Sequence, residues 1–229
     1  MQVFVSSFSV AEDQVSQWRG YSRGSSGISL AFDLTALRPP AEADTLVSFA
    51  PCVYELDVKK KLIEHALQHF MDEVCRYWSD LFGAGQQLIK KGADPTTQTE
   101  FGNLIIQNTP DFTKNLQAAT ARTQADLLRL AALLKNSSFH EEQEWRLVLP
   151  ISVAKEALVH PRFFRAEGTT LVPYIAYPFA LNPDGSLPLV DLILGPGSDV
   201  NAVPAAESFL RTEGIKLIPR ESQVLYRPW

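Results

Sequence analysis

The chain has 229 residues, of which 45% are hydrophobic, 10% aromatic and 21% charged, with a formal net charge of -5. That balance excludes a disordered, collagenous or wholly coiled-coil chain, and a chain this long buries a core without needing disulfides or a structural metal. The acidic excess argues against a broad nucleic-acid surface.

The first residues, Met1-Gln2-Val3-Phe4-Val5-Ser6, carry no basic segment and no long apolar run. They read as the start of a strand rather than a signal peptide, no stretch is long enough for a membrane span, and a cytoplasmic location is expected. Cys52 and Cys75 stand apart with no C-x-x-C spacing, which predicts free buried thiols in a reducing compartment.

Residues 1–56 are strand-rich, with strands predicted at Val3–Phe8, Ile28–Phe32 and Leu46–Leu56. A helical turn is expected over Gln14–Gly20, and Ser22–Gly27 reads as a loop. Residues 57–138 are helical. Leu62, Ile63, Ala66, Leu67, Phe70, Met71, Val74 and Trp78 make one apolar face, with Asp57 as N-cap. A second helix is predicted from about Asp111, with Pro110 near its start and a stripe of Phe112, Leu116, Ala119, Thr123, Leu127, Leu130 and Leu134. Gly83 to Gly102 is less regular, and Asp94-Pro95 marks a turn. Residues 139–229 return to strands. Glu144–Ile151 alternates, Leu171–Leu181 is a proline-interrupted edge strand, and Asn182-Pro183-Asp184-Gly185 predicts a hairpin into Leu187–Leu194. A short helix is expected over Val203–Thr212, ended by Gly214. The order gives a single α+β domain: a mixed, mostly antiparallel, split sheet with an inserted helical block.

Two constellations carry chemistry. In the first, Ser6-Ser7-Phe8-Ser9 ends a strand, and Trp18, Arg19 and Tyr21 follow in a short turn with Asp13 and Ser16 nearby. Aromatic rings stack on bases and Arg binds phosphate, so this is a nucleotide platform; equally, Trp18 and Tyr21 pack a helical turn onto the sheet. In the second, Phe139-His140-Glu141-Glu142-Gln143-Glu144-Trp145-Arg146, period two places Glu142, Glu144 and Arg146 on one strand face. Paired carboxylates beside a guanidinium bind sugar hydroxyls or act as acid and base; the alternative is a solvated face on which Arg146 bridges the glutamates. His140 precedes the acidic strand. His65 and His69 have metal-pair spacing, but the zincin Glu is replaced by Ala66, and a solvated helix face and no metal are expected. Gly195-Pro196-Gly197-Ser198-Asp199 lacks a dinucleotide or Walker pattern and reads as an ordinary turn.

These stretches, with Ser16-x-Trp18-Arg19-x-Tyr21, Gly27-Ile28 to Phe32-Asp33, Leu189 to Gly195-Pro196 and Ser222 to Tyr226-Arg227, resemble a bacterial domain-of-unknown-function family. More distantly, the pattern resembles the ADP-ribosyltransferase class. That resemblance implies a split antiparallel sheet clamping NAD as substrate. Glu142-x-Glu144 would be its E-x-E, with Glu144 the catalytic carboxylate. Ser7 and Ser9 would stand on the middle strand, and Tyr21 would stack on the nicotinamide. Trp18, Arg19, His140 and Arg146 complete the expected substrate site. Relatives are expected to carry an upstream Tyr-rich strand and an Asn-Asp-Pro turn, ahead of the point where this sequence opens. The implied role is an NAD-consuming toxin or phage-defence effector. The alternative is a non-catalytic nucleotide-sensing or protein-interaction module, forming a homodimer or docking a partner protein through the helical block.

Overall fold

In a computed structural model of the protein, the structure describes residues 2–22, 27–33, 47–89, 95–151, 162–177 and 188–225. The fold is α+β. The chain divides into two compact units, one formed by Met1–Cys52 with Asn136–Trp229 and the other by Val53–Lys135.

The first unit holds the strands. Strand β1 (Gln2–Ser9) is followed by helix α1 (Val15–Tyr21), β2 (Ile28–Phe32) and β3 (Ser48–Pro51). After the helical excursion come a 3-10 helix (Ser137–Glu142), β4 (Glu144–Ile151), β5 (Arg162–Glu167), β6 (Thr170–Ile175) and β7 (Leu189–Leu194). Helix α4 (Ala202–Thr212) and the two-residue β8 (Arg220–Glu221) complete it. β4 lies between β1 and β3, antiparallel to both. β7 lies between β2, antiparallel, and β8, parallel. β5 and β6 form a separate hairpin.

Strand β4 departs from the expected alternation. Leu147, Val148, Leu149 and Ile151 are all buried, so both faces of the central strand are covered and a two-period pattern has nothing to mark. α4 closes the other sheet: Leu210 packs on Leu192 and Leu194, with Val203, Ala206, Ile215 and Leu217 around them. The hairpin expected between the 171–181 and 187–194 runs is not formed, because β6 pairs with β5 and β7 pairs with β2 and β8. The turn that is used contains Gly168, whose φ of +59° suits glycine. Pro173 cannot donate to a second ladder and so belongs in a strand paired on one side. Asn182 to Gly185, Leu46, Leu187 and the centre of the Ser22–Gly27 loop lie outside the described residues.

The second unit is a pair of long helices, α2 (Leu56–Ile89) and α3 (Pro95–Leu133). α2 starts at Leu56, so Asp57 sits in the first turn rather than capping it, and the helix continues through Gly83. α3 begins at Pro95, not near Asp111, and carries Pro110 in its interior. Pro110 and Ile106 both lie on the exposed side, where water satisfies the Ile106 carbonyl that loses its intrahelical donor. The α3 stripe from Phe112 to Leu134 is buried or half-buried throughout. The α2 stripe is wider than its cover. Ala66, Phe70 and Val74 are partly buried, while Leu62, Leu67, Met71 and Trp78 stay exposed. Trp78 stacks on Phe82 and meets Phe112 edge-on, with centroids 4.8 and 5.1 Å away. Glu73 pairs with Arg122 across the two helices. Val53 and Leu134 form a parallel bridge at the base of the pair. Cys52 is buried as expected, whereas Cys75 lies exposed on α2. No described helix is long and apolar enough to cross a membrane.

Candidate functional site

The register between β1 and β4 begins the site. Ser7 stands opposite Arg146 and Ser9 opposite Glu144, so two hydroxyls and an ion pair share one sheet face. Ala50 of β3 flanks Arg146 from the other side, and small neighbours leave room for the guanidinium. Arg146 Nε donates to Glu144 Oε1 at 2.8 Å and Nη2 donates to Oε2 at 3.1 Å. Glu144 is only 5% exposed, and this two-point pairing fixes the position of a buried carboxylate.

Glu142 does not sit on the strand. It ends the 3-10 helix that Asn136 caps, where the Asn136 Oδ1 accepts from the Ser138 N–H at 2.9 Å. The next residue, Gln143, is left-handed, with φ 41° and ψ 50°. That single residue turns the chain, so Glu142 and Glu144 are not alternate positions of one strand. Both still reach the same cavity. Ser9 Oγ locks Glu142 in place, donating to its carbonyl at 2.6 Å while accepting from Gln17 Nε2 at 2.6 Å.

Helix α1 supplies the facing wall. Trp18 is its one buried residue, and its indole Nε1 donates to Asp13 Oδ1 at 2.7 Å. Tyr21 is 77% exposed and its hydroxyl reaches Glu142 Oε2 at 3.5 Å. Ser22 Oγ donates to the Trp18 carbonyl, and a Cβ on Gly27 would come within 2.6 Å of Ser22 Cβ, so glycine is required for that close approach. Ser7, Ser9, Trp18, Tyr21, Glu142 and Glu144 together line a cavity of about 350 Å³. Glu12, Gln14, Gln17, Gly27 and Ser29 contribute as well. Arg146 does not line it and acts on it only through Glu144. Arg19 and His140 are exposed and do not line it either.

Asp13 organises this wall from behind. It accepts from Trp18 Nε1, from Ser222 Oγ at 2.6 Å and from the Gln223 N–H at 2.8 Å. Burial by itself would raise its carboxyl. Donation from Ser222, Trp18 and Gln223, with the Arg220 charge nearby, outweighs that and holds it below the usual aspartate range. Arg220 bonds Asp191 at 2.8 Å and Glu12 at 3.1 Å, and the Asp191 bond leads in raising the Arg220 guanidinium above its ordinary value. The sequence marks Trp18 but not these anchors, because Asp13 and Ser222 are 209 positions apart. Gln17 carries no signal beyond its place beside Trp18. Among the described residues no group of three or more His, Cys, Asp or Glu is placed to hold a metal ion, and His65 and His69 are exposed on α2.

Residues 17–147 match a family described as Protein of unknown function (DUF2971), and the chain belongs to that family. No curated protein and no solved structure matches the chain.

Proposed function

We propose that this DUF2971 member is an NAD-consuming enzyme of the ADP-ribosyltransferase or NAD glycohydrolase type. The observation that supports the reading is the convergence of Ser7, Ser9, Trp18, Tyr21, Glu142 and Glu144 on one cavity, although they come from four separate elements. The chemistry follows from the residue types. The exposed Tyr21 ring offers a face for the flat nicotinamide. Glu142 and the Ser7 hydroxyl suit ribose hydroxyls. The C1′–N1 bond of NAD breaks, and nicotinamide leaves with the electron pair. The Glu144 carboxylate, oriented by Arg146, faces the developing oxocarbenium charge. Water, or an acceptor nucleophile, then adds at C1′ and a proton is released. Loss of cellular NAD fits a toxin or phage-defence effector.

The test is nicotinamide release from NAD by the wild-type chain and by Glu144→Gln. Removing a fixed charge of this kind costs on the order of 10²–10³ in rate. Release by the wild type and a loss of that size in the variant supports the reading. No release from either protein removes it. The two-point Arg146–Glu144 pair favours one second reading, a non-catalytic nucleotide-sensing module in which the pair is structural. That module binds NAD without product, and Glu144→Gln lowers its melting temperature sharply.

A further inference from the structure

The cavity in front of Glu144 continues into a second lobe of about 470 Å³. Ser7, Phe8, Ser9, Glu12, Gln17 and Ser29 line both lobes, so the two are one crevice running between β1 and β2. Their remaining walls differ in chemistry. The first lobe adds two carboxylates, Glu142 and Glu144. The second adds Val10, Leu30, Ala31, Phe32 and Trp145, which are apolar throughout. Leu30 and Val10 are 50% and 56% exposed, and such side chains gain when a ligand takes them out of water. Trp145 is braced in advance: its ring lies 5.2 Å from that of Phe49, which meets Phe8 edge-on at 5.7 Å. Each lobe falls within the range of about 300–1,000 Å³ usual for small-molecule sites.

We propose that the second lobe is a binding site for a flat aromatic ring of purine size, tethered to the hydroxylated group held beside Glu142 and Glu144. The ligand is therefore two-headed, a dinucleotide rather than a single nucleoside. Naming the first head rests on the NAD reading above; the second lobe stands on its own walls. The shared Ser7, Ser9, Gln17 and Ser29 offer hydroxyl and amide groups to the polar linker where the lobes join. Ligand binding should then cover Val10 and Leu30 together.

The experiment is titration calorimetry of the full chain with adenosine, nicotinamide mononucleotide and NAD. It compares wild type with Leu30→Glu and Val10→Glu, both at half-exposed positions where the fold tolerates a charge. The expected result is adenosine binding by the wild type that weakens at least about tenfold in both variants. Affinity for the mononucleotide stays unchanged, which also reports an intact fold, and affinity for NAD falls to that of the mononucleotide. The proposal is overturned if the wild type does not bind adenosine, or if both variants bind it as the wild type does. Loss of adenosine binding in the variants without any nicotinamide release refutes the enzyme reading and leaves the second lobe standing. Nicotinamide release with adenosine binding indifferent to both substitutions does the reverse.

Discussion

Asp13→Asn keeps the shape of the side chain and removes its charge, which isolates what the carboxylate does behind Trp18. The carboxylate accepts three hydrogen bonds, from Trp18 Nε1 at 2.7 Å, Ser222 Oγ at 2.6 Å and the Gln223 N–H at 2.8 Å. An amide offers one acceptor oxygen, and its NH₂ then points at a donor. Hydrogen bonds to charged groups contribute about 1.5–3 kcal/mol each and do not add in full, so the variant should lose about 2–4 kcal/mol at pH 7. The pH dependence has a definite sign. The folded carboxyl lies below its ordinary value, so its stabilisation is present above the unfolded pKa and is lost as pH falls through the folded one. The gap between wild type and variant should therefore narrow from about pH 4 downward. Amide exchange at Gln223 reads the opening free energy of this unit directly. A difference under about 0.5 kcal/mol at pH 7, or a gap that does not change with pH, would refute the reasoning.

Three further substitutions test the parts around it. Gly27→Ala places a Cβ 2.6 Å from Ser22 Cβ and should cost about 1–3 kcal/mol in urea unfolding, with reduced NAD binding because both residues line the cavity. Gln143→Gly relieves a left-handed φ of 41° that costs a side-chain-bearing residue about 1–2 kcal/mol, so its melting temperature should stay level or rise, whereas Gln143→Val should lower it. Leu210→Ala opens a cavity against Leu192 and Leu194 and should cost about 2–5 kcal/mol, read as a lower urea midpoint.

The local signals in the sequence were of unequal value, for physical reasons. Ile28–Phe32 and Glu144–Ile151 were legible as strands because β-branched and aromatic residues concentrate there. The α3 stripe was legible because one continuous helix covers it. Pro110 misled because a helix interior normally excludes proline, and here solvent on its side of α3 absorbs the cost. The β5–β6 hairpin left a usable signal, Gly168 between two short runs, that the prolines downstream obscured. At the site, the Ser7 and Ser9 hydroxyls and the Glu144 carboxylate stood out as polar groups in strand sequence. Their meeting depends on the β1–β4 register, which no local pattern encodes. Glu142 was drawn on the same strand because a left-handed Gln143 has no signature: glycine would have announced the turn, glutamine does not. Asp13 read as an ordinary turn residue, since its partners lie near the other end of the chain.

That last separation sets a clock on synthesis. Ser222 follows Asp13 by 209 residues, and ribosomes add about 5–20 residues per second. For roughly 10–40 seconds after Asp13 is made, the wall carrying Trp18 has no Ser222 or Gln223 to lean on. A prematurely terminated chain would display the serines and both glutamates yet lack the clasp that squares the indole against them. Translation itself would then decide when the crevice becomes competent.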